Sequence, residues 1–239
     1  DIDTDFFDVN GAVIGENNFI TQSVQNTGLF SVQADYTTNL GTSSIVETGL
    51  RYASIVSDNT IDQEGFDRSQ SGIDPTEAGE FVYDEAISAV YLTLNNSWGT
   101  WKLNMGLRAE YTETEGRLDT DSNSNENDYL ELFPSLSVLY THKNKHVFKL
   151  NYYRRITRPR YSWLNPFQFF QNNNTVLEGN PNLLPSFSNF VSLGYTFNKS
   201  LTLRPFYEIR SNDFLQQVSQ DNSGNLLRFI ATNLEENKS

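Results

Sequence analysis

The stretch Trp101–Tyr111, WKLNMGLRAEY, decides how the rest of the chain is read. Its odd positions, Trp101, Leu103, Met105, Leu107, Ala109 and Tyr111, are all apolar. The even positions, Lys102, Asn104, Gly106, Arg108 and Glu110, are polar or glycine. Unbroken alternation of this length predicts a β-strand with one apolar face and one wet face, because successive strand side chains point to opposite sides. A helix fits poorly, since Lys102 and Arg108 would intrude on the apolar stripe set by Leu103 and Leu107.

The same period recurs on both sides of this stretch. Val191, Leu193, Tyr195 and Phe197 alternate with Ser192, Gly194 and Thr196. Leu201, Leu203, Tyr207 and Ile209 share a side opposite Thr202, Arg204, Glu208 and Arg210. Val46, Leu50 and Tyr52 oppose Glu47, Gly49 and Arg51, and Phe30, Val32, Ala34 and Tyr36 oppose Ser31, Gln33 and Asp35. About nine strands follow: 25–38, 42–57, 81–95, 100–115, 129–141, 145–156, 187–198, 201–217 and 224–234. Pro134 and Pro205 fall inside two of them, where proline removes a ladder hydrogen bond, so each must sit at a bulge or an unpaired position.

Connection lengths alternate. Short turns occur at TNLGTS, NNSWGT, THKNKH and FNKS, and long polar excursions at 58–80, 116–128 and 157–186. Short turns at one end and long loops at the other mark an up-and-down transmembrane β-barrel rather than a sandwich. Strands of ten to fifteen residues suit a tilted crossing, which needs about 9–11 residues. Trp98, Trp101, Tyr111, Tyr140, Tyr195 and Phe197 lie near strand ends, where an aromatic interface girdle belongs.

Composition narrows the function. The chain of 239 residues has 30 acidic against 17 basic side chains, a formal charge of −13, which argues against a nucleic-acid partner. It has no cysteine, so neither a disulfide framework nor a thiolate site is expected. Mean hydropathy of −0.51 and the lack of a long apolar run exclude a transmembrane helix but not alternating strands. The opening residues Asp1–Asp5 carry no secretory leader pattern, so a leader has been removed or the chain is part of a longer one.

Four segments occur in order: GLRAEYTETEG (106–116), LFPSLSVLY (132–140), YYRRITRPRYSWLNPF (152–167) and EGNPNLLPSFSNFVSLGY (178–195). Together they resemble the barrel of TonB-dependent receptors, in particular the outer-membrane β-barrel family common in Bacteroidetes. The resemblance covers nearly the whole chain, most firmly from Phe81 onward. It implies an all-β, antiparallel up-and-down barrel of 22 strands in the outer membrane, of which residues 1–239 form one segment. A plug domain, a TonB box and the closing strands are not visible in it. The implied partners are outer-membrane lipid, the TonB complex through parts absent from this chain, and a nutrient ligand of unknown identity.

The segment Tyr152–Phe170 gathers four arginines and seven aromatics in an acidic chain. On the barrel reading it leaves the 145–156 strand for the longest extracellular loop. Arg154, Arg155, Arg158 and Arg160 then lie at the barrel mouth or wall, beside acids on polar faces such as Glu110, Glu131 and Glu208. Pro159 ends strand pairing, and Asn165-Pro166 and Gly179-Asn180-Pro181 set turns. One reading is a packed, salt-bridged cap that orders the loop, since buried arginine is normally paired. The other is that Arg158, Arg160, Tyr161 and Trp163 contact an anionic or ring-bearing ligand.

Other patterns carry less. DTDSNSNENDY alternates Asp119, Asp121 and Asn123 but has Ser124 and Leu130 where a calcium loop needs glycine and glutamate, so a solvated loop is expected. The acidic 58–80 excursion reads as a repulsive, soluble loop. His142 and His146 flank a KNK turn, and their spacing is not expected to converge them on one face. No phosphate loop, serine elbow or paired carboxylate stands out, so neither catalysis, a metal site nor a cofactor is expected. The expected role is energy-coupled uptake of a nutrient. The alternative is a soluble all-β cell-surface binding module, lectin-like or adhesive, which would cover its apolar faces with a second sheet.

Overall fold

A computed structural model describes residues 2–67, 78–119, 124–172, 174–221 and 226–238. Seven strands come first: β1 (Ile2–Phe7), β2 (Val13–Leu40), β3 (Ser44–Asp67), β4 (Ala78–Trp98), β5 (Trp101–Leu118), β6 (Ser124–His142) and β7 (His146–Thr157). A one-turn helix α1 (Tyr161–Leu164) and a small hairpin, β8 (Gln168–Asn172) and β9 (Thr175–Glu178), follow. The chain then continues through β10 (Ser186–Phe197), β11 (Leu201–Leu203), β12 (Phe206–Asp221) and β13 (Leu226–Lys238). All join one sheet in the order β1-β2-β3-β4-β5-β6-β7-β10-β12-β13-β9-β8, with β11 beside β10, and the sheet curls into a half-barrel.

The alternation sets the register. Trp98 faces Trp101, Leu92 faces Leu107 and Val90 faces Ala109 across β4–β5, while Tyr111 faces Leu130 across β5–β6. Partners across a ladder share a face, so the apolar residues of the alternating stretches gather on the convex side. Leu107 is 49% exposed, Leu193 59% and Leu203 58%, and among the described residues no second layer covers them. A sandwich is thereby excluded. At roughly 3.3 Å per residue and a tilt of about 40°, Trp101 to Tyr111 spans about 25 Å, the height of a lipid-facing band.

The aromatic row at the short-turn rim is continuous. Trp98 stacks on Trp101 at 6.4 Å, Trp101 on Tyr140 at 4.5 Å, Tyr140 on Phe148 at 6.2 Å, and Phe148 meets Tyr195 at 5.1 Å. Beyond Tyr111 the outward positions turn charged, with Glu113, Glu115 and Asp128, so the lipid-facing band ends there.

Both prolines sit where pairing stops. Pro134 stays opposite Leu107 of β5, but the β6–β7 ladder ends one residue earlier at Ser135–Tyr153. Pro205 lies in the break between β11 and β12.

Four expectations need correction. β2 and β3 pair from Leu40–Ser44 up to Asn17–Asp67, so much of the 58–80 excursion, including Asp58, Asp62 and Glu64, is strand rather than loop. The 116–128 excursion shrinks likewise: β5 runs to Leu118 and β6 starts at Ser124, while Asp121 and Asn123 lie outside the described residues. The sheet is not purely antiparallel, because the cap hairpin lays β9 parallel along β13, Leu227 opposite Thr175. His142 and His146 do share a face: they are direct partners across the three-residue turn Lys143–Lys145 with rings 6.1 Å apart, since a tight reversal places its flanking residues opposite one another.

Candidate functional site: a cap packed into the concave face

The excursion after β7 folds back into the concave side of the sheet. Its apolar anchors are Leu164, Phe167 and Leu183, which pack with Ile61 of β3, Phe81 of β4 and Ala231 of β13 in one buried cluster. Those sheet residues occupy inward positions of the alternation at the long-loop end, where the polar face would otherwise be wet. Phe81 and Phe167 are almost fully buried. The cap therefore has a core of its own, built half from the loop and half from the wall.

Hydrogen bonds fasten it. Buried Asn165 donates from Nδ2 to Asn59 Oδ1 at 2.9 Å and accepts from Phe167 N at 3.0 Å. Asn59 in turn donates to Ser23 Oγ at 2.7 Å and Val24 O at 3.1 Å. Gln63 Nε2 donates to Gln168 O at 2.5 Å, and Asn180 Nδ2 to Ala231 O at 3.2 Å. The cap thus bridges β3 on one side and β13 on the other.

Arg158 lies at the root of the cap and reaches past β6. Its Nη2 donates to Glu110 Oε2 at 2.9 Å and Thr112 Oγ1 at 3.1 Å, and its Nε lies 2.8 Å from Glu85 Oε1. Glu110 also sits 2.5 Å from Arg108 Nε. Both Nε contacts are close ion pairs. Glu85 is 9% and Glu110 6% exposed, so two buried carboxylates face two guanidinium groups and the charges balance. Burial opposes the charge on Arg158, but the hydrogen bond to Glu110 and the fields of Tyr129, Glu85 and Glu110 prevail and raise its pKa.

The remaining residues of the segment divide by role. Tyr161 donates to Phe81 O at 3.0 Å and its ring lies 5.8 Å from that of Phe81. Burial and the nearby Asp58 and Glu80 push the Tyr161 phenol above its ordinary range. Arg160 is exposed and sits 5.5 Å over the Trp163 ring. Trp163 meets Phe214 edge-on at 5.4 Å. Arg154 pairs with Glu131 at 2.5 Å and donates to Leu132 O at 2.9 Å, where the β6–β7 ladder has ended. Arg155 stacks on Tyr153 at 4.0 Å. Glu208, expected near this group, pairs with Arg210 at 3.2 Å instead.

Of the four candidate ligand contacts, Arg158 and Tyr161 are committed to the wall, while Arg160 and Trp163 border open space. A cleft of about 420 Å³ lies between the cap and the β12–β13 hairpin, walled by Trp163, Phe169, Phe214 and Phe229 with Gln171, Gln216 and Glu178 among its polar groups. Glu178 is held by Arg228 at 2.5 Å. Phe214 and Phe169 escape sequence reasoning because nothing local signals that two segments so far apart meet. Glu85 had one signal, a carboxylate on the inward side of an alternating strand. Two further hollows, walled by residues such as Leu50 and Tyr111 or Leu193 and Tyr195, open on the convex face within the lipid-facing band.

Comparisons with known proteins agree with this architecture. The structure is similar to the ferric citrate transporter FecA in its unliganded form, with 15% identity and a TM-score of 0.53, over 89% of this chain and 32% of that one. It is also similar to the ferric-catecholate import receptor Fiu from K12 E. coli, with 15% identity and a TM-score of 0.51, over 94% of this chain and 34% of that one. The chain thus spans about a third of the length of these structures. No curated protein matches it. The profile of the outer membrane protein beta-barrel family matches residues 1–239. With its outward apolar band, its aromatic row and a match running from end to end, the chain belongs to the outer membrane protein beta-barrel family and resides in the outer membrane.

Proposed function

We propose that this chain is a wall segment of an outer-membrane receptor that takes up a nutrient with energy delivered through TonB, and that its cap presents the ligand-facing surface. On this reading the complete protein adds a plug domain and the strands that close a 22-strand barrel. Its work is recognition and transport rather than bond-breaking. The observation that carries the reading is the cap itself. A loop with its own core, pinned to β3 and β13 and facing the concave side, is a preorganised surface at the mouth of a pore.

Ligand contact then falls to Arg160, Trp163 and Phe214, a cation and rings suited to an anionic or ring-bearing solute. Arg158 and Tyr161 position the cap. The test is uptake by cells carrying the full-length gene. Deleting the gene and deleting TonB should abolish uptake of the same nutrient, and Trp163→Ala with Phe214→Ala should reduce it while the cap stays protease-resistant. Uptake that persists without TonB would overturn the energy coupling, and uptake indifferent to the double substitution would overturn the assigned surface.

A further inference from the structure

The lysines are segregated. The sequence has six, and Lys102, Lys143, Lys145, Lys149 and Lys199 all lie at or near the short turns. No acid occurs between Glu131 and Glu178, nor between Glu178 and Glu208, so the β6–β7 and β10–β11 turns are free of negative charge. Arg108, Arg117, Arg154, Arg158, Arg210 and Arg228 all form ion pairs, whereas among the described residues no lysine does. In a chain of charge −13 this rim is a local cationic surface whose charge is not consumed internally.

Three of these lysines lie on two adjoining turns. Asn198 N donates to Lys145 O at 2.6 Å, which joins the two turns side by side and brings Lys143, Lys145 and Lys199 onto one stretch of rim, all exposed. Lys143 and Lys199 adopt φ of +50° and +59°, a conformation in which glycine or asparagine is favoured. Lysine there costs turn stability, so the cation itself is the feature to explain.

Directly above, on the convex face, an apolar groove of about 500 Å³ runs between Tyr140, Phe148, Leu193, Tyr195, Leu203 and Pro205. It arises where Pro205 interrupts the strand and lies within the lipid-facing band. His146 Nδ1 and Tyr195 Oη, 2.8 Å apart, mark its junction with the rim. Cations below and a greasy channel above match the two halves of one amphiphile.

We propose that this rim binds one anionic glycerophospholipid of the periplasmic leaflet, with its phosphate at Lys143, Lys145 and Lys199 and an acyl chain in the groove. Short turns of such barrels face the periplasm, which assigns the leaflet. A lysine near a lipid surface favours an anionic headgroup by about fivefold. Seated there, the lipid would ballast a rim that carries no pairing of its own charges.

The test uses the full-length protein in nanodiscs of phosphatidylethanolamine doped with phosphatidylglycerol, with retained lipids counted by native mass spectrometry. The wild type should retain phosphatidylglycerol preferentially. Each of Lys143→Gln, Lys145→Gln and Lys199→Gln should lower that preference by about fivefold, and the triple variant should abolish it. Leu203→Trp, which fills the groove, should weaken retention with all lysines present. An unchanged preference in the triple variant would overturn the proposal. So would equal competition by glycerophosphoglycerol, which lacks acyl chains, or retention of lipid A instead.

Discussion

Arg158 and Glu110 stand 48 residues apart in the chain, yet Arg158 Nη2 donates to Glu110 Oε2 at 2.9 Å across the intervening strand β6. The contact belongs to a balanced group with Glu85 and Arg108, and it ties the first residue after β7 to the wall two strands away. It makes Arg158 a post that fixes the root of the cap to the wall.

Removing one member of that group should be costly. Arg158→Met leaves Glu85 and Glu110 facing each other in a buried site and should cost about 3–5 kcal/mol. Limited proteolysis should then cut between Pro159 and Pro185, while the barrel strands stay protected. Arg160→Ala, at an exposed position, should leave the same segment resistant.

Gly179 tests the packing of the cap against itself. A Cβ at this position would press into the Asn165 backbone, which cannot move without losing the Asn59 bond. Gly179→Ala should therefore destabilise the cap by about 1–3 kcal/mol, read as a lower denaturant midpoint for Trp163 fluorescence.

The Tyr161 phenol gives a pH test. Its folded pKa is raised by burial and by Asp58 and Glu80, so the neutral form is the one the cap accommodates. That stabilisation is complete below the unfolded value of about 10 and is lost as pH rises through the folded value. Cap protection in the wild type should fall under strongly alkaline conditions. Tyr161→Phe should lose about 1 kcal/mol at neutral pH and show a shallower alkaline decline.

The lipid-facing assignment is tested at mid-band. Leu107 points outward within the lipid-facing band, and Leu107→Arg should cost about 2–4 kcal/mol of folding into bilayers. Ser135→Arg, on the inward face of β6, should cost far less. Heat-modifiable migration of the refolded full-length protein would report both.

Much of the wall is legible from residue order. Alternation in Trp101–Tyr111 and its relatives identifies the strands, their outward faces and the aromatic row at the short-turn rim, and the two prolines correctly mark interruptions. Strand ends are less legible. Polar stretches such as Asp58–Glu64 look like loops because Ile61 is their one apolar residue, yet they remain paired above the band, with the outward face wet and the inward Asn59, Ile61 and Gln63 buried under the cap. The histidine pair fails for a similar reason: spacing along the chain does not show that a tight turn sets its flanking residues face to face.

What the sequence by itself determined is the ribbon: which residues form strands, which side meets lipid, and which end carries the short turns. These are local properties, set by a period of two and by turn residues. The tertiary structure alone decided where the long excursion goes and what Arg158 holds. Its deciding contacts, Asn165 to Asn59 and Gln63 to Gln168, join residues more than a hundred positions apart. Such pairings exist only once the sheet has curled and brought β3, β4, β5 and β13 around one hollow.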